Sequence, residues 1–409
     1  MATATGAAGA APTRRAGIPQ GLIIVTTAFL PILAIVSLTV AVPTIIDHFK
    51  ADPNAGLKAP VIVSAPGLTI ALLAMFVGVL VDRFGRRRLL VGATALYALF
   101  GVAPFFLDDL NAIIGSRLVL GVSEAFILTI VNTLIADYWD HEGRRRWLTF
   151  QGLAGPFFAS GVIRLSGPLT ELRWNGIFLV YLIALPIFLA MLAWIYEPSR
   201  NEAAPAPNPI GGPTSAGFPW VTVATFGVVT LFASSLYYVF IINGGMAFRE
   251  VGITSPDVLS TLIFWASLFV MAGALIFWLL AKRAPAFQLA VFLGLIGAGL
   301  AGIGLARDTQ SMFLSLVIQQ TGAGMAVPTL IAWAQSKLPF EHRGRGMGVW
   351  TSAFFLGQFS SPFLVNLGKH ATGTMQGAFV VAGAAGLVGG LVAVVCAFRR
   401  APLTHPVTA

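Results

Sequence analysis

Two ionisable side chains lie deep inside one apolar stretch of this chain. Arg117 and Glu124 occur between about residues 111 and 136, among mostly apolar or small residues. A separation of seven residues puts both on one face of a helix, about 10 Å apart along its axis. A carboxylate at such a depth can carry a proton, and a guanidinium can bind an anion. The pair therefore predicts a coupling site with Glu124 as proton carrier. The alternative is that the two charges satisfy each other or neighbouring helices and only hold the structure together.

Further polar and aromatic side chains interrupt the apolar stretches later in the chain. They would line a mainly apolar cavity with a few polar anchors, as small-molecule sites do. A tyrosine or tryptophan near the end of a stretch could instead be an anchor at the membrane interface. Besides Arg117 and Glu124, the candidate cavity residues are Tyr237, Tyr238, Asn243, Gln319, Gln320, Trp333 and Gln358.

A charged segment between two apolar stretches reads Gly78-Val-Leu-Val-Asp82-Arg83-Phe-Gly85-Arg86-Arg87-Arg88. A basic cluster at such a place could be only an orientation signal. Its order, G-x-L-x-D-R-x-G-R-R, resembles the cytoplasmic loop signature of the major facilitator superfamily of secondary transporters. Arg117-Leu-Val-Leu-Gly121 is similar to the R-x-x-Q-G pattern of that family, with Leu120 in place of the glutamine.

The resemblance implies that the charged segment is a conformational latch. In the family, this loop holds the two halves of the transporter together when it faces outward and releases them when it faces inward. Asp82 and Arg83 would therefore control switching without binding substrate. Gly78 would allow a close helix approach and Gly85 a tight turn. The predicted latch residues are Gly78, Asp82, Arg83, Gly85, Arg86 and Arg87.

A later segment, from residue 152 to residue 161, is similar to the G-x-x-x-G-P-x-x-G-G pattern of family antiporters. The first glycine comes one place late, and Ala159-Ser160 replaces Gly-Gly. The resemblance favours export over import; otherwise these small residues simply pack helices. The predicted packing motif consists of Gly152, Gly155, Pro156, Ser160 and Gly161. We expect the nearby Arg164 to extend its charge to the lipid headgroups.

The composition indicates a membrane protein. Of the 409 residues, 57% are hydrophobic and 10% charged, whereas soluble domains carry about 25% charged residues. The net charge of +9 does not indicate nucleic-acid binding, because Lys and Arg are confined to short segments between apolar stretches. Backbone polar groups in lipid must be paired within a helix, since the alternation of a membrane barrel is absent. Twelve apolar stretches are long enough to span a bilayer, near residues 22–46, 60–81, 89–107, 111–136, 147–167, 176–196, 218–244, 258–281, 287–305, 311–336, 346–367 and 376–397.

The predicted fold is an all-α membrane protein with twelve transmembrane helices in two pseudo-symmetric six-helix bundles, the major facilitator fold. Seventeen Lys and Arg fall on the side of the termini and six on the other, which predicts cytoplasmic termini. A proline-rich segment divides the chain. The predicted domains are a cytoplasmic tail 1–21, a bundle 22–196, a linker 197–217, a second bundle 218–397 and a cytoplasmic tail 398–409.

These features predict a secondary active transporter that works by alternating access, with proton-coupled export of a small, partly apolar organic compound. The alternative is import of an organic anion, with Arg117 as its counter-charge. A membrane-embedded enzyme is disfavoured because the histidines lie in loops or the tail and neither HExxH nor G-x-S-x-G occurs. A sensor is disfavoured because the short tail offers no signalling domain.

We expect no enzymatic activity, no metal site and no cofactor. The expected partners are a small-molecule substrate, a proton and the lipid bilayer, without nucleic acid. The chain is expected to be a monomer in the cytoplasmic (inner) membrane of a bacterial-like cell.

Overall fold

The computed structural model describes residues 16–198, 218–338 and 342–399, and these residues form helices joined by short turns, without a strand. We call residues 16–198 the first half and residues 218–399 the second half. The α-helices of the first half are α1 (Ile18–Ala28), α2 (Leu30–Val36), α3 (Val42–His48), α4 (Ala55–Leu73), α5 (Val77–Phe84), α6 (Arg86–Val102), α7 (Leu110–Tyr138), α8 (His141–Leu172) and α9 (Ala184–Trp194). A short 3-10 helix, Ala103–Phe106, follows α6, and another, Gly176–Ile183, leads into α9 and forms the sixth span with it. Those of the second half are α10 (Trp220–Glu250), α11 (Pro256–Ser267), α12 (Val270–Leu279), α13 (Pro285–Leu305), α14 (Thr309–Lys337), α15 (Arg343–Thr372) and α16 (Met375–Arg399).

The all-helical prediction is confirmed, and the chain is a multi-pass membrane protein. Ten helical segments of the described chain are long and apolar enough to cross a bilayer. Two of the twelve predicted spans, 147–167 and 346–367, lie in α8 and α15. These helices are 32 and 30 residues long but less apolar. The count of twelve therefore stays a prediction. Much of the predicted linker and both predicted tails lie outside the described residues.

Contacts between helix ends define two faces of the bundle. At the first, which we call the terminal face, the Gln20 amide donates a hydrogen bond of 3.2 Å to the Trp194 carbonyl. At the other, the opposite face, the His48 ring stacks on Trp174 with centroids 4.2 Å apart. Because α1 begins at the terminal face and successive spans alternate in direction, the charged segment around Gly85 and the start of α8 also lie there.

The first span differs from the continuous helix expected over residues 22–46. It consists of α1, α2 and α3, and residues 37–41 form a non-helical turn between the last two. Pro31 and Pro43 stand in the first turns of α2 and α3. Proline has no N–H and is tolerated best at a helix start, which favours a new helix at each of these positions.

Two tyrosines from neighbouring spans hold the broken helix in place. The Tyr97 hydroxyl donates to the carbonyl of Leu30 at 2.6 Å, and the Tyr181 hydroxyl donates to the carbonyl of Ala34 at 3.1 Å. Both tyrosines are fully buried, and their ring centroids are 5.4 Å apart. Buried backbone acceptors need such partners where the helical pattern is interrupted.

Helix α4 is fitted closely between α7 and α15. A Cβ added to Gly121 of α7 would lie 2.5 Å from the Pro66 carbonyl oxygen of α4. On the other side, a Cβ added to Gly67 would lie 2.9 Å from the Phe355 carbonyl oxygen of α15. Glycine at both positions therefore lets three backbones approach one another, and the second contact joins the two halves.

Candidate functional site

Arg117 and Glu124 are both fully buried in α7. The Arg117 guanidinium carbon lies 4.8 Å from the ring centroid of Phe178 and 4.6 Å from that of Tyr181. A cation over aromatic faces is stabilised by about 2 kcal/mol where water is excluded. Among the described residues, none forms a hydrogen bond with a guanidinium nitrogen of Arg117 or with a carboxylate oxygen of Glu124. The two side chains interact electrostatically but are not hydrogen-bonded to each other.

Glu124 is within electrostatic range of groups from both halves of the protein. It interacts with Arg117, Tyr97 and Tyr181 in the first half and with Tyr238 of α10 in the second. A buried carboxylate without a hydrogen-bond partner is costly and rare in a membrane span. The arrangement can hold a proton at Glu124 or present Arg117 to an anion.

The candidate residues of the second half form one aromatic group and several separate positions. Tyr237 and Tyr238 of α10 pack edge to face with centroids 4.8 Å apart, and both lie near Phe354 of α15, at 6.2 and 5.7 Å. Trp350 stacks on Phe354 at 5.3 Å. This aromatic group lies in the second half, and one of its members, Tyr238, interacts electrostatically with Glu124.

The amide candidates do not all join this group. Gln358 is fully buried on α15 beside Gly67 of α4, and no described residue hydrogen-bonds its side-chain amide. Gln319 packs closely against Gly299 of α13, and the Asn243 amide donates to the Val239 carbonyl of its own helix at 3.2 Å.

Gln320 and Trp333 are buried on α14. Gln358 lies at a contact between the halves, because its side chain packs against Gly67 of α4.

Sequence reasoning missed the aromatic cage of Arg117 and the pair Trp350 and Phe354. Phe178 and Tyr181, the two rings of this cage, come from the sixth span, far from Arg117 in sequence. One signal was available, because four of the 6 tyrosines of the chain, Tyr97, Tyr181, Tyr237 and Tyr238, stand inside apolar stretches and away from their ends.

The predicted latch segment forms the turn between α5 and α6. Gly85 has a φ of 90°, so the predicted tight turn is confirmed. At Gly78, an added Cβ would meet no atom within 4 Å, so the close helix approach expected there is absent. The side chain of Asp82 is 74% exposed, with a carboxylate oxygen 3.6 Å from Arg86 Nη2, and the Arg83 guanidinium lies over the neighbouring Phe84 ring.

Arg86 and Arg87 bind groups of the first half. Arg86 Nε lies 3.2 Å from the Asp137 carboxylate of α7. Arg87 Nε donates to the Ile195 carbonyl at 2.6 Å, where α9 has ended. The Glu197 carboxylate accepts hydrogen bonds from the backbone N–H groups of Arg86 and Arg87, at 2.7 and 2.8 Å. A carboxylate at a helix N-terminus satisfies free donors and complements the helix dipole, so Glu197 caps α6.

The packing motif of α8 makes its closest contacts at other positions than expected. An added Cβ at Gly152 or Gly161 would meet nothing within 4 Å, and one at Gly155 would make an ordinary contact of 3.6 Å. Ser160, one turn after Pro156, instead bonds to the Ser267 hydroxyl of α11 at 2.7 Å. The tight approach of α8 to α11 lies at Gly167, further towards the opposite face.

Two ion pairs join the halves near the opposite face. Arg249 of α10 forms a bidentate pair with Asp47 of α3, and one of its two bonds measures 2.8 Å. Arg164 Nη1 lies 2.6 Å from the Asp257 carboxylate of α11. Arg164, which we expected to extend to the headgroups, thus has an acidic partner at the start of the facing helix.

Comparisons with known proteins agree with this architecture. The family model described as Major Facilitator Superfamily matches residues 24–362 and 254–409. A multidrug efflux pump, LfrA, of Mycolicibacterium smegmatis is 31% identical over 175 residues, which cover 42% of this chain and 33% of the pump. A 3-(3-hydroxy-phenyl)propionate transporter of Escherichia coli is 26% identical over 80% of this chain and 81% of its own.

Among solved structures, a D-xylose-proton symporter superposes with a TM-score of 0.76 over 92% of this chain and 96% of its own, at 15% identity. The human organic anion transporter MFSD10 gives a TM-score of 0.65 over 92% of this chain and 100% of its own, at 17% identity. These likenesses establish the fold, and the family match spans nearly the whole sequence. This helical chain, with its buried Arg117 and Glu124 and its Gly85 turn, belongs to the major facilitator superfamily.

Proposed function

We propose that this secondary transporter exports a small, partly apolar organic compound in exchange for protons. The observation that carries the proposal is Glu124, a fully buried carboxylate without a hydrogen-bond partner among the described residues, within electrostatic range of Arg117 and Tyr238. Such an acid can be protonated from one side of the membrane and deprotonated to the other. The similarity to a multidrug efflux pump and to a class C tetracycline resistance protein of Escherichia coli supports the direction.

The proposed cycle alternates between closure at the opposite face and closure at the terminal face. The contacts of Arg249 with Asp47 and of Arg164 with Asp257 support a state closed at the opposite face. With the terminal face in the cytoplasm, as the distribution of Lys and Arg favours, the opposite face is the outer face of the membrane.

The Arg249–Asp47 pair keeps its charges at neutral pH. Its hydrogen bond from Arg249 holds the pKa of Asp47 below the ordinary value. A lowered pKa means that the attraction is present above the ordinary carboxylate range and is lost only as the pH falls through the lowered value. Changes around pH 7 therefore do not break this contact, and the response to a proton gradient is assigned to Glu124.

Reconstitution tests the proposal directly. The purified protein is placed in proteoliposomes with an imposed pH gradient and a panel of cationic, neutral and anionic organic solutes. Concentrative movement of one solute against the proton flow is the expected result. Transport that is independent of the pH gradient for every transported solute would contradict proton coupling.

A change at Asp82 tests the latch. Asp82→Asn should slow exchange about fivefold, since the proposed latch contact of this exposed carboxylate would be worth up to about 1 kcal/mol, while substrate affinity stays within a few fold. Exchange rates in proteoliposomes and equilibrium binding measure the two effects. Asp108→Asn, an exposed carboxylate at the opposite face, is the control. A normal exchange rate in Asp82→Asn would remove the latch role.

The second candidate function is import of an organic anion, and Arg117 is the observation that favours it. Its guanidinium lies on two aromatic rings without a hydrogen-bonded carboxylate, and a relative transports 3-(3-hydroxy-phenyl)propionate, an aromatic carboxylate. If the protein imports an organic anion, Arg117→Gln should weaken binding of that compound about tenfold or more, because charge-assisted hydrogen bonds contribute about 1.5–3 kcal/mol. Arg173→Gln, which also removes a guanidinium lying over an aromatic ring, is the control. Unchanged affinity in Arg117→Gln would exclude this role.

A further inference from the structure

The start of α8 carries a dense basic surface that the transport site does not use. Arg144, Arg145 and Arg146 follow one another in its first turns, and all three side chains are exposed. The helix has 32 residues and is therefore about 48 Å long, whereas the hydrocarbon core of a bilayer is about 30 Å thick. Since α8 begins at the terminal face, its first turns lie at the depth of the lipid headgroups.

Two adjoining shallow grooves open on this part of the helix. One, of about 430 Å³, is lined by His141, Arg144, Arg145, Leu148 and Thr149. The other, of about 590 Å³, is lined by Arg145, Arg146, Thr149, Phe150 and Leu153. Arg145 and Thr149 line both grooves, so the two form one surface with cationic groups at one end and apolar groups at the other. We call it the α8 groove.

The positive charge of the α8 groove is only partly neutralised by the protein. Arg146 pairs with Glu142 at 2.5 Å, four residues earlier on the same helix. Among the described residues, no acidic group lies within ion-pair distance of Arg144 or Arg145. These two guanidinium groups remain available to an anion, and guanidinium suits phosphate oxygens because it can donate two parallel hydrogen bonds.

The apolar end of the groove continues along α8 towards the membrane centre. Phe150, Leu153 and Phe157 are 46%, 62% and 58% exposed, and they are spaced three and four residues apart, so they follow one face of the helix. A ligand that satisfies both ends needs an anionic headgroup and a hydrocarbon chain. We propose that the α8 groove binds an anionic phospholipid, with its phosphate at Arg144 and Arg145 and an acyl chain along Phe150, Leu153 and Phe157.

Arginines at this face also have a simpler role, since basic residues set membrane orientation. Setting the membrane orientation requires the positive charge of the arginines but does not require a groove. Lys282 and Arg283 form a suitable comparison, because they are adjacent, exposed and at the same face between α12 and α13. If charge alone attracted lipid, the two pairs would bind it equally.

Native mass spectrometry of the purified full-length protein distinguishes these possibilities. Phosphatidylglycerol or phosphatidylcholine is titrated in, and the lipid-bound fraction is measured. We expect the wild type to prefer phosphatidylglycerol, and Arg144→Gln with Arg145→Gln to weaken its binding about tenfold or more. Lys282→Gln with Arg283→Gln should leave the tightest binding within about twofold of the wild type.

A lysine variant and a competition experiment test the proposal further. Arg144→Lys with Arg145→Lys keeps both charges and should retain most of the binding, which separates loss of charge from loss of fold. Inorganic phosphate should not displace the lipid at equal concentration, because it lacks the acyl chain. Equal losses in the two glutamine pairs, no preference over phosphatidylcholine, loss in the lysine pair as great as in the glutamine pair, or displacement by inorganic phosphate would each overturn the proposal.

Discussion

Glu124→Gln is expected to abolish transport driven by a pH gradient while leaving substrate exchange intact. A carboxamide has nearly the shape of the carboxylic acid but cannot release a proton, so the site can still switch while the proton no longer contributes energy. The effect should be large, about tenfold or more, because no other acid stands in the middle of a span in this sequence and intramembrane acids carry proton pathways. Proteoliposomes with and without an imposed pH gradient measure it.

Two further variants serve as controls for this result. Glu142→Gln removes an exposed carboxylate on α8 and should leave gradient-driven transport unchanged. Glu124→Asp keeps a proton-binding group, shortened by one methylene, and should retain part of the coupling. Concentrative transport by Glu124→Gln would assign the proton to another group. Loss of both coupling and exchange, in a protein that elutes as the wild type does, would point to a structural role for Glu124.

Gly167→Ala is expected to prevent full closure at the opposite face. An added Cβ would lie 2.3 Å from Ser260 Oγ and 2.8 Å from both the Asp257 Cα and the Pro256 carbonyl oxygen. Two of these atoms belong to backbone, so α11 must move away from α8. Overpacking costs about 1–3 kcal/mol, which would lower the equilibrium constant for closure about fivefold to 150-fold and slow transport.

Gly161→Ala is the matched control, because it adds the same methyl group to the same helix where no atom lies within 4 Å. Spin labels on Asp108→Cys and Arg307→Cys, in a Cys396→Ser background, report the separation of the halves at the opposite face. Both positions are exposed and lie in different halves. Gly167→Ala should lengthen the distance between labels, and Gly161→Ala should not. The same distances and transport rates in both variants would show that this contact does not limit closure.

The helical architecture could be predicted because apolar stretches of membrane length are local properties of the sequence. Breaks of the helix inside an apolar stretch are harder to predict from the sequence. The predicted span 60–81 is divided into α4 and α5, although residues 74–76 are as apolar as their neighbours. In the first span, prolines mark the breaks, but the hydroxyl groups of Tyr97 and Tyr181, which satisfy the α2 carbonyls, come from other spans.

The depth of Arg117 and Glu124 was likewise predictable, and their environment was not. Periodicity fixes which residues share a helix face, but it does not say which neighbouring helix covers that face. Phe178 and Tyr181 therefore could not be assigned to Arg117. Arg164 shows the same limit, since whether a cation reaches the headgroups or an acid depends on Asp257, 93 residues later.

The close fit of α4 between two neighbours has a consequence for mutational tolerance. Substitutions at Gly67 and Gly121 meet carbonyl oxygens of adjacent helices, and a backbone atom cannot rotate away as a side chain can. In a saturation-mutagenesis screen, both positions should therefore be as intolerant as a binding residue, whichever solute is used for selection. Intolerance that does not vary with the solute identifies steric constraint, so comparing two selections would separate these glycines from residues that recognise the cargo.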